Sequence, residues 1–197
     1  MKLSKKWMNL LAYLDKAVIA VSLLLFLYIR PDMLMLSLFM FLFVYLYVSG
    51  RASLFRQLGV AFIVSVIWML IAKDYYNYNK EMLQLLGFNL FPLLGWTSGL
   101  FSAYVIYSHY EHILKVKTFF RKLLLFVAFY WPLLILFETL GYHVFKIRNM
   151  EHAYSGLPIC DCIHAIWWMK ISYFLIGIVF FAICHAMKLE NPHRRRE

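Results

Sequence analysis

Within the segment 138–164, two stretches of strongly apolar sequence are separated by Glu138, Tyr142, His143, Cys160, Asp161, Cys162 and His164, the residue types that move protons, ligate metals or form disulfides. Glu138 lies late in an apolar run, where a carboxylate costs several kcal/mol unless it is protonated, paired or turned to a cavity. Tyr142 follows it by four residues and shares its helical face; His143 lies about 100° further round. A carboxyl so placed can serve as general acid or base while tyrosine or histidine orients it or relays the proton. A protonated Glu138 bridging two helices, or a contact with Lys146, would explain it equally well. Asp161 and His164, three apart, share a face if the last helix begins early, and could then face Glu138 across the mouth of a bundle.

Cys160-x-Cys162 has three readings: small buried residues where a loop re-enters the protein, a small-ring disulfide, or two thiolates for a soft metal with His164 as third ligand. Zinc sites usually show the wider C-x2–4-C spacing, which counts against the metal. Cys184 cannot pair with either, being about 33 Å further along a helix. His109-x-x-His112, with Glu111 between, has a metal-holding spacing on a helix but sits beside Lys115 and Lys117, as a solvated interfacial face would. No cofactor is implied by any motif. A nucleotide-binding Walker loop, a G-x-S-x-G elbow, an H-E-x-x-H pair and Asp-rich diphosphate motifs are all missing, which speaks against an ATP-driven pump, a lipase and a zinc protease.

The elements that must position these groups follow from composition. At 197 residues, 63% apolar and 19% aromatic, with a mean hydropathy of +0.69, the chain far exceeds the roughly 45–50% apolar content of soluble domains. About 20 apolar residues as helix cross a hydrocarbon core of about 30 Å. The runs lack the alternating pattern of a membrane barrel. The expected fold is therefore an all-α integral membrane protein, a polytopic bundle of six transmembrane helices: Met8–Tyr28, Met33–Val48, Leu58–Ala72, Leu83–Tyr107, Leu123–Tyr142 and Ile166–Met187. Residues 1–187 make one helical domain and 188–197 a basic tail. Pro92 is expected to kink the fourth span, where Gly95, Thr97, Ser98 and Gly99 allow close helix approach. Tyr75, Tyr76 and Tyr78 are expected to anchor at headgroup level, or to rim a binding site.

The net charge of +10 is distributed unevenly. With six spans, thirteen Lys and Arg residues (2, 5, 6, 51, 56, 115, 117, 121, 122, 188, 194, 195 and 196) fall on the side of the termini, against five (30, 73, 80, 146 and 148) on the other. The positive-inside rule then makes both termini cytoplasmic in a cell membrane, and puts the segment after Glu138 on the external face. Membrane lipids account for the basic excess, and no nucleic-acid partner is expected, because the tail is short and lacks interleaved aromatics. Proton-transfer groups amid apolar walls suit a protein that acts on or binds a lipid-like or isoprenoid molecule near the external ends of the fifth and sixth helices, with Glu138 as acid or base and Tyr142, His143, Asp161 and His164 assisting. A small transporter or a noncatalytic assembly partner is the alternative.

Overall fold

A computed structural model describes residues 28–114, 116–150, 154–189 and 191. The expected first span, Met8–Tyr28, lies outside them apart from Tyr28, as does most of the tail. Five helices in this region are long and apolar enough to cross a membrane. They are α1 (Pro31–Val48), α2 (Phe55–Ala72), α3 (Leu90–Ile113), α4 (Phe119–Thr139) and α5 (Trp167–Ala186). The short third span expected from sequence is lengthened by single 3-10 turns at Ala52–Leu54 and Lys73–Tyr75.

The expected fourth helix begins seven residues late, because its first part folds as a tight hairpin of β1 (Gln84–Leu85) and β2 (Phe88–Asn89). Leu86 and Gly87 both adopt positive φ, 53° and 77°, as a two-residue hairpin turn demands. The Asn89 side chain then accepts the Phe91 N–H at 3.0 Å and caps α3. Pro92 consequently sits in the first helical turn, where its missing N–H breaks no hydrogen bond. The interior proline is instead Pro132 of α4.

Hydrogen bonds between loops order the helix ends. The Asn79 N–H donates to the Arg148 carbonyl at 2.9 Å, the Arg148 N–H to Asn79 Oδ1 at 3.0 Å, and the Met150 N–H to the Asn77 carbonyl at 2.7 Å. At the same end Asp32, fully buried at the start of α1, accepts the Leu83 N–H at 2.8 Å and pairs with both Nε and Nη2 of Arg30 at 3.1 and 2.9 Å. This hairpin end therefore gathers the start of α1, the end of α2, the start of α3 and the end of α4. At the opposite end Glu111 of α3 meets Lys122 of α4 at 2.6 Å and the Asn191 amide, beyond α5, at 2.5 Å. Consecutive helices thus run up and down, as short connections between antiparallel neighbours require.

The interior is built mainly from α2 and α3, with Ala61, Met69, Leu100, Phe126 and Phe180 each almost wholly enclosed. In α1, by contrast, only Pro31, Asp32, Leu34 and Leu46 are buried, so the helix is held most firmly at its two ends, with Phe39 and Leu42 partly packed on the core between them. α4 and α5 approach closely at Gly177, where a Cβ would fall 2.2 Å from Cε1 of Tyr130. The Tyr130 ring cannot swing aside freely, since its hydroxyl donates to the Tyr173 carbonyl at 2.5 Å. Gly177→Ala should lower stability in detergent by about 1–3 kcal/mol, the usual cost of overpacking. That outweighs a helix-propensity gain of at most about 1 kcal/mol. A thermal-unfolding midpoint equal to or above wild type would show that the helices can part at this point.

Candidate functional site

Helix α4 does not end at Thr139. It runs on through one π-helical turn, Leu140–Val144, closed by the Phe145 N–H to the Leu140 carbonyl at 2.9 Å. Such turns insert a residue and re-aim the side chains beyond it. Glu138 and Tyr142 are thereby put to different uses. Glu138, half-buried, stays on the helical side within electrostatic range of the hydroxyls of Tyr76, Tyr78, Tyr130 and Tyr173. Tyr142 and His143 instead meet the loop that leads into α5.

That loop is shaped by its own chemistry. Cys160 and Cys162 are joined in a disulfide that closes over Asp161 alone, while Cys184 is a buried free thiol. The Leu157 N–H donates to the Cys162 carbonyl at 2.7 Å and the Asp161 N–H to the Leu157 carbonyl at 2.9 Å. Asp161 and Ile163 take positive φ, 42° and 54°. Gly156 packs under the turn, where a Cβ would lie 2.6 Å from Asp161 Oδ1 and 2.8 Å from its Cα. Lys170, in the first turn of α5, fastens the outer strand of the loop by donating to the Ser155 carbonyl at 2.6 Å.

Asp161 and His164 are therefore brought together by loop geometry. The last helix begins only at Trp167, so the shared helical face expected for them does not form. Nε2 of His164 lies 3.1 Å from Asp161 Oδ1, and Nε2 of His143 lies 2.7 Å from the Asp161 carbonyl and 3.7 Å from its Oδ2. The Tyr142 ring stacks on the His164 ring with centroids 3.4 Å apart and planes 3° from parallel, and the Arg148 guanidinium lies over the other aromatic surface at 4.8 Å. The His164 side chain is only 8% exposed, and its Nδ1 is buried with no partner among the described residues. Burial holds this imidazole below the usual histidine range, against the opposing pull of Asp161, so the neutral form prevails near pH 7.

Tyr142, Asp161 and His164, with Tyr154 and the 155–158 turn, line an open cavity of about 620 Å³. A second, of about 320 Å³, lies among residues 76–84, with Asn89 and Met150. Glu138 lines neither of them. Of the five proton-transfer residues expected from sequence, four thus converge and the fifth stands apart. With both sulfurs in the disulfide, the carboxylate beside His164 is its neighbouring ligand-type group in place of a thiolate pair.

Three other polar arrangements were not anticipated. Tyr76 is buried, not anchored in a headgroup layer: its hydroxyl accepts the indole N–H groups of Trp68 and Trp96 at 2.7 and 2.9 Å and lies 3.1 Å from the Tyr173 hydroxyl. Burial raises the Tyr76 and Tyr78 hydroxyls above the usual tyrosine range. The Arg30–Asp32 pair could have been found from Arg-Pro-Asp, since proline at the first helical position followed by an acid marks a helix start. Glu111, expected on a solvated face, is 6% exposed and paired with Lys122. Its signal was the basic cluster ahead of α4.

Compared with known protein families, curated proteins and solved structures, the chain matches none. The fold and the site define a predominantly helical protein with, among the described residues, five membrane-length helices and, at one end, a His–Asp–His cluster clamped by a disulfide loop.

Proposed function

We propose that this chain is a six-span protein of the cell membrane, termini cytoplasmic, which acts on or binds a lipid-like molecule at the external ends of its last two helices. The observation that carries this reading is the setting of the polar cluster. Tyr142, Asp161 and His164 open onto the 620 Å³ cavity, while Val144, Ile159 and Trp167, their near neighbours in sequence, are left exposed. Exposed tryptophan and aliphatic side chains beside polar groups suit the headgroup boundary, where one side of a site is wet and the other apolar. An amphiphile would place its polar head against Asp161 and the two histidines and its chain along Leu157, Pro158 and the outer helix surface. The acid–base role falls to the His143–Asp161–His164 group in preference to Glu138.

Lipid extraction and mass spectrometry of protein purified from membranes tests the reading. An amphiphile retained by wild type and lost from Tyr142→Ala at equal expression is the expected result; a protein free of bound amphiphile, or one that retains it equally in the variant, contradicts it. For the topology, a reporter fused after Glu197 should behave as cytoplasmic and one inserted at Met150 as external.

A further inference from the structure

His143, Asp161 and His164 each offer a ligand atom, and the three atoms lie within 4.8 Å of one another. We propose that this cluster is a three-ligand site for a divalent transition metal, best matched by zinc, with its fourth position open to the cavity. The inference rests on the site described above but not on the lipid reading, since metal binding can be measured with no lipid present.

Four observations support it. The donor set, two imidazoles and one carboxylate, is a set zinc takes at sites that keep an open coordination position. Ligand atoms around a tetrahedral ion with bonds of about 2.0–2.2 Å stand about 3.3–3.6 Å apart, and the Asp161 carboxylate oxygens lie 3.1 Å from His164 Nε2 and 3.7 Å from His143 Nε2, near that range on either side. His164 is held in place by the stacked Tyr142 ring, and its Nε2 is turned to the Asp161 carboxylate.

Asp161 is presented by a small covalent loop, a disulfide joining the residues on either side of it. The positive φ of Asp161 and the bare Cα of Gly156 beneath it hold the carboxylate toward the two histidines. Presentation of a ligand in this way supplies what outer-shell contacts supply in other metal sites. The surrounding charges then shape the fourth position. Arg148 over Tyr142 and Lys170 against the 155–156 turn are both cationic, so with a metal in place the open position favours an anionic ligand.

The test uses full-length protein purified in detergent without a polyhistidine tag, stripped with chelator and titrated with zinc chloride against a chromophoric competitor. One equivalent should bind. Asp161→Asn and His164→Gln should each weaken binding more than about 100-fold, beyond the 10–100-fold typical of lost outer-shell partners. The double variant Cys160→Ser, Cys162→Ser should weaken it about 10-fold, the effect of a ligand less firmly presented. His109→Gln, at the opposite end of the bundle, should change nothing.

X-ray absorption on zinc-loaded wild type gives a reading independent of variant folding: two imidazoles and oxygen are expected, and sulfur at about 2.3 Å would overturn the assignment. So would the absence of stoichiometric binding, or affinity unchanged in both ligand variants. Tight zinc binding in a preparation that carries no amphiphile would uphold the metal site and remove the lipid reading. The opposite result would do the reverse.

Discussion

Tyr76→Phe is expected to cost about 2–4 kcal/mol of stability, although it removes a single oxygen. That oxygen accepts two indole donors, from Trp68 on α2 and Trp96 on α3, and adjoins the Tyr173 hydroxyl on α5. A buried donor left unsatisfied costs about 1–3 kcal/mol, and two are orphaned here. Hydrogen bonds between membrane helices average only about 0.6 kcal/mol, because the separated helices find other partners. The indoles have no such freedom: Trp68 and Trp96 are locked against each other and against Tyr173 by ring contacts of 6.1, 5.8 and 4.7 Å. The check is chemical or thermal unfolding in one detergent, with tryptophan fluorescence reporting the local change. A loss below about 0.6 kcal/mol, the membrane average, would show that the indole groups find new acceptors.

Lys122→Met should be comparably damaging at the other end, by about 2–3 kcal/mol. Removing one member of a buried ion pair costs about 3–5 kcal/mol, since the remaining charge is uncompensated. The lower figure follows from two facts: the Lys122 side chain is 17% exposed, and Glu111 keeps the Asn191 amide. Methionine preserves the length and apolar stem of lysine, so the loss reports the charge and not the packing. Double replacement with Glu111→Gln should recover most of it, as exchanging both partners of a buried pair often proves nearly neutral. Failure of the second change to restore stability would mean that the loss does not come from an uncompensated Glu111 carboxylate.

The helices were legible because a membrane-length apolar run needs no partner to declare itself. Pro31–Val48 and Trp167–Ala186 agree with the expected limits to within two residues. The start of α3 was not, because residues 83–89 are as apolar as the helix they precede, and hydropathy cannot tell a hairpin from a helical turn. The local signals were Gly87, which permits the positive φ, and Asn89 as a cap. The site was legible as a list of residues but not as a constellation. Separating Glu138 from Tyr142 depends on one π-helical turn, which has no compositional mark, and uniting His143 with Asp161 depends on a loop with two positive φ angles at non-glycine residues. Burial of Tyr76 was hidden for a different reason: tyrosine is equally at home in a headgroup layer and in a hydrogen-bonded core.

The tie between Asp32 and Leu83 spans 51 positions of the chain. A ribosome adding about 5–20 residues per second reaches the second partner roughly 3–10 s after the first. During that interval α1 has its own turns and Arg30, but neither the backbone donor nor the hairpin that covers Asp32. Between Leu34 and Leu46 the helix encloses no side chain fully, and Phe39 and Leu42 only partly, so much of what holds α1 is at its ends. Asp32 therefore gains its last hydrogen-bond partner only once residues 83–89 have been made.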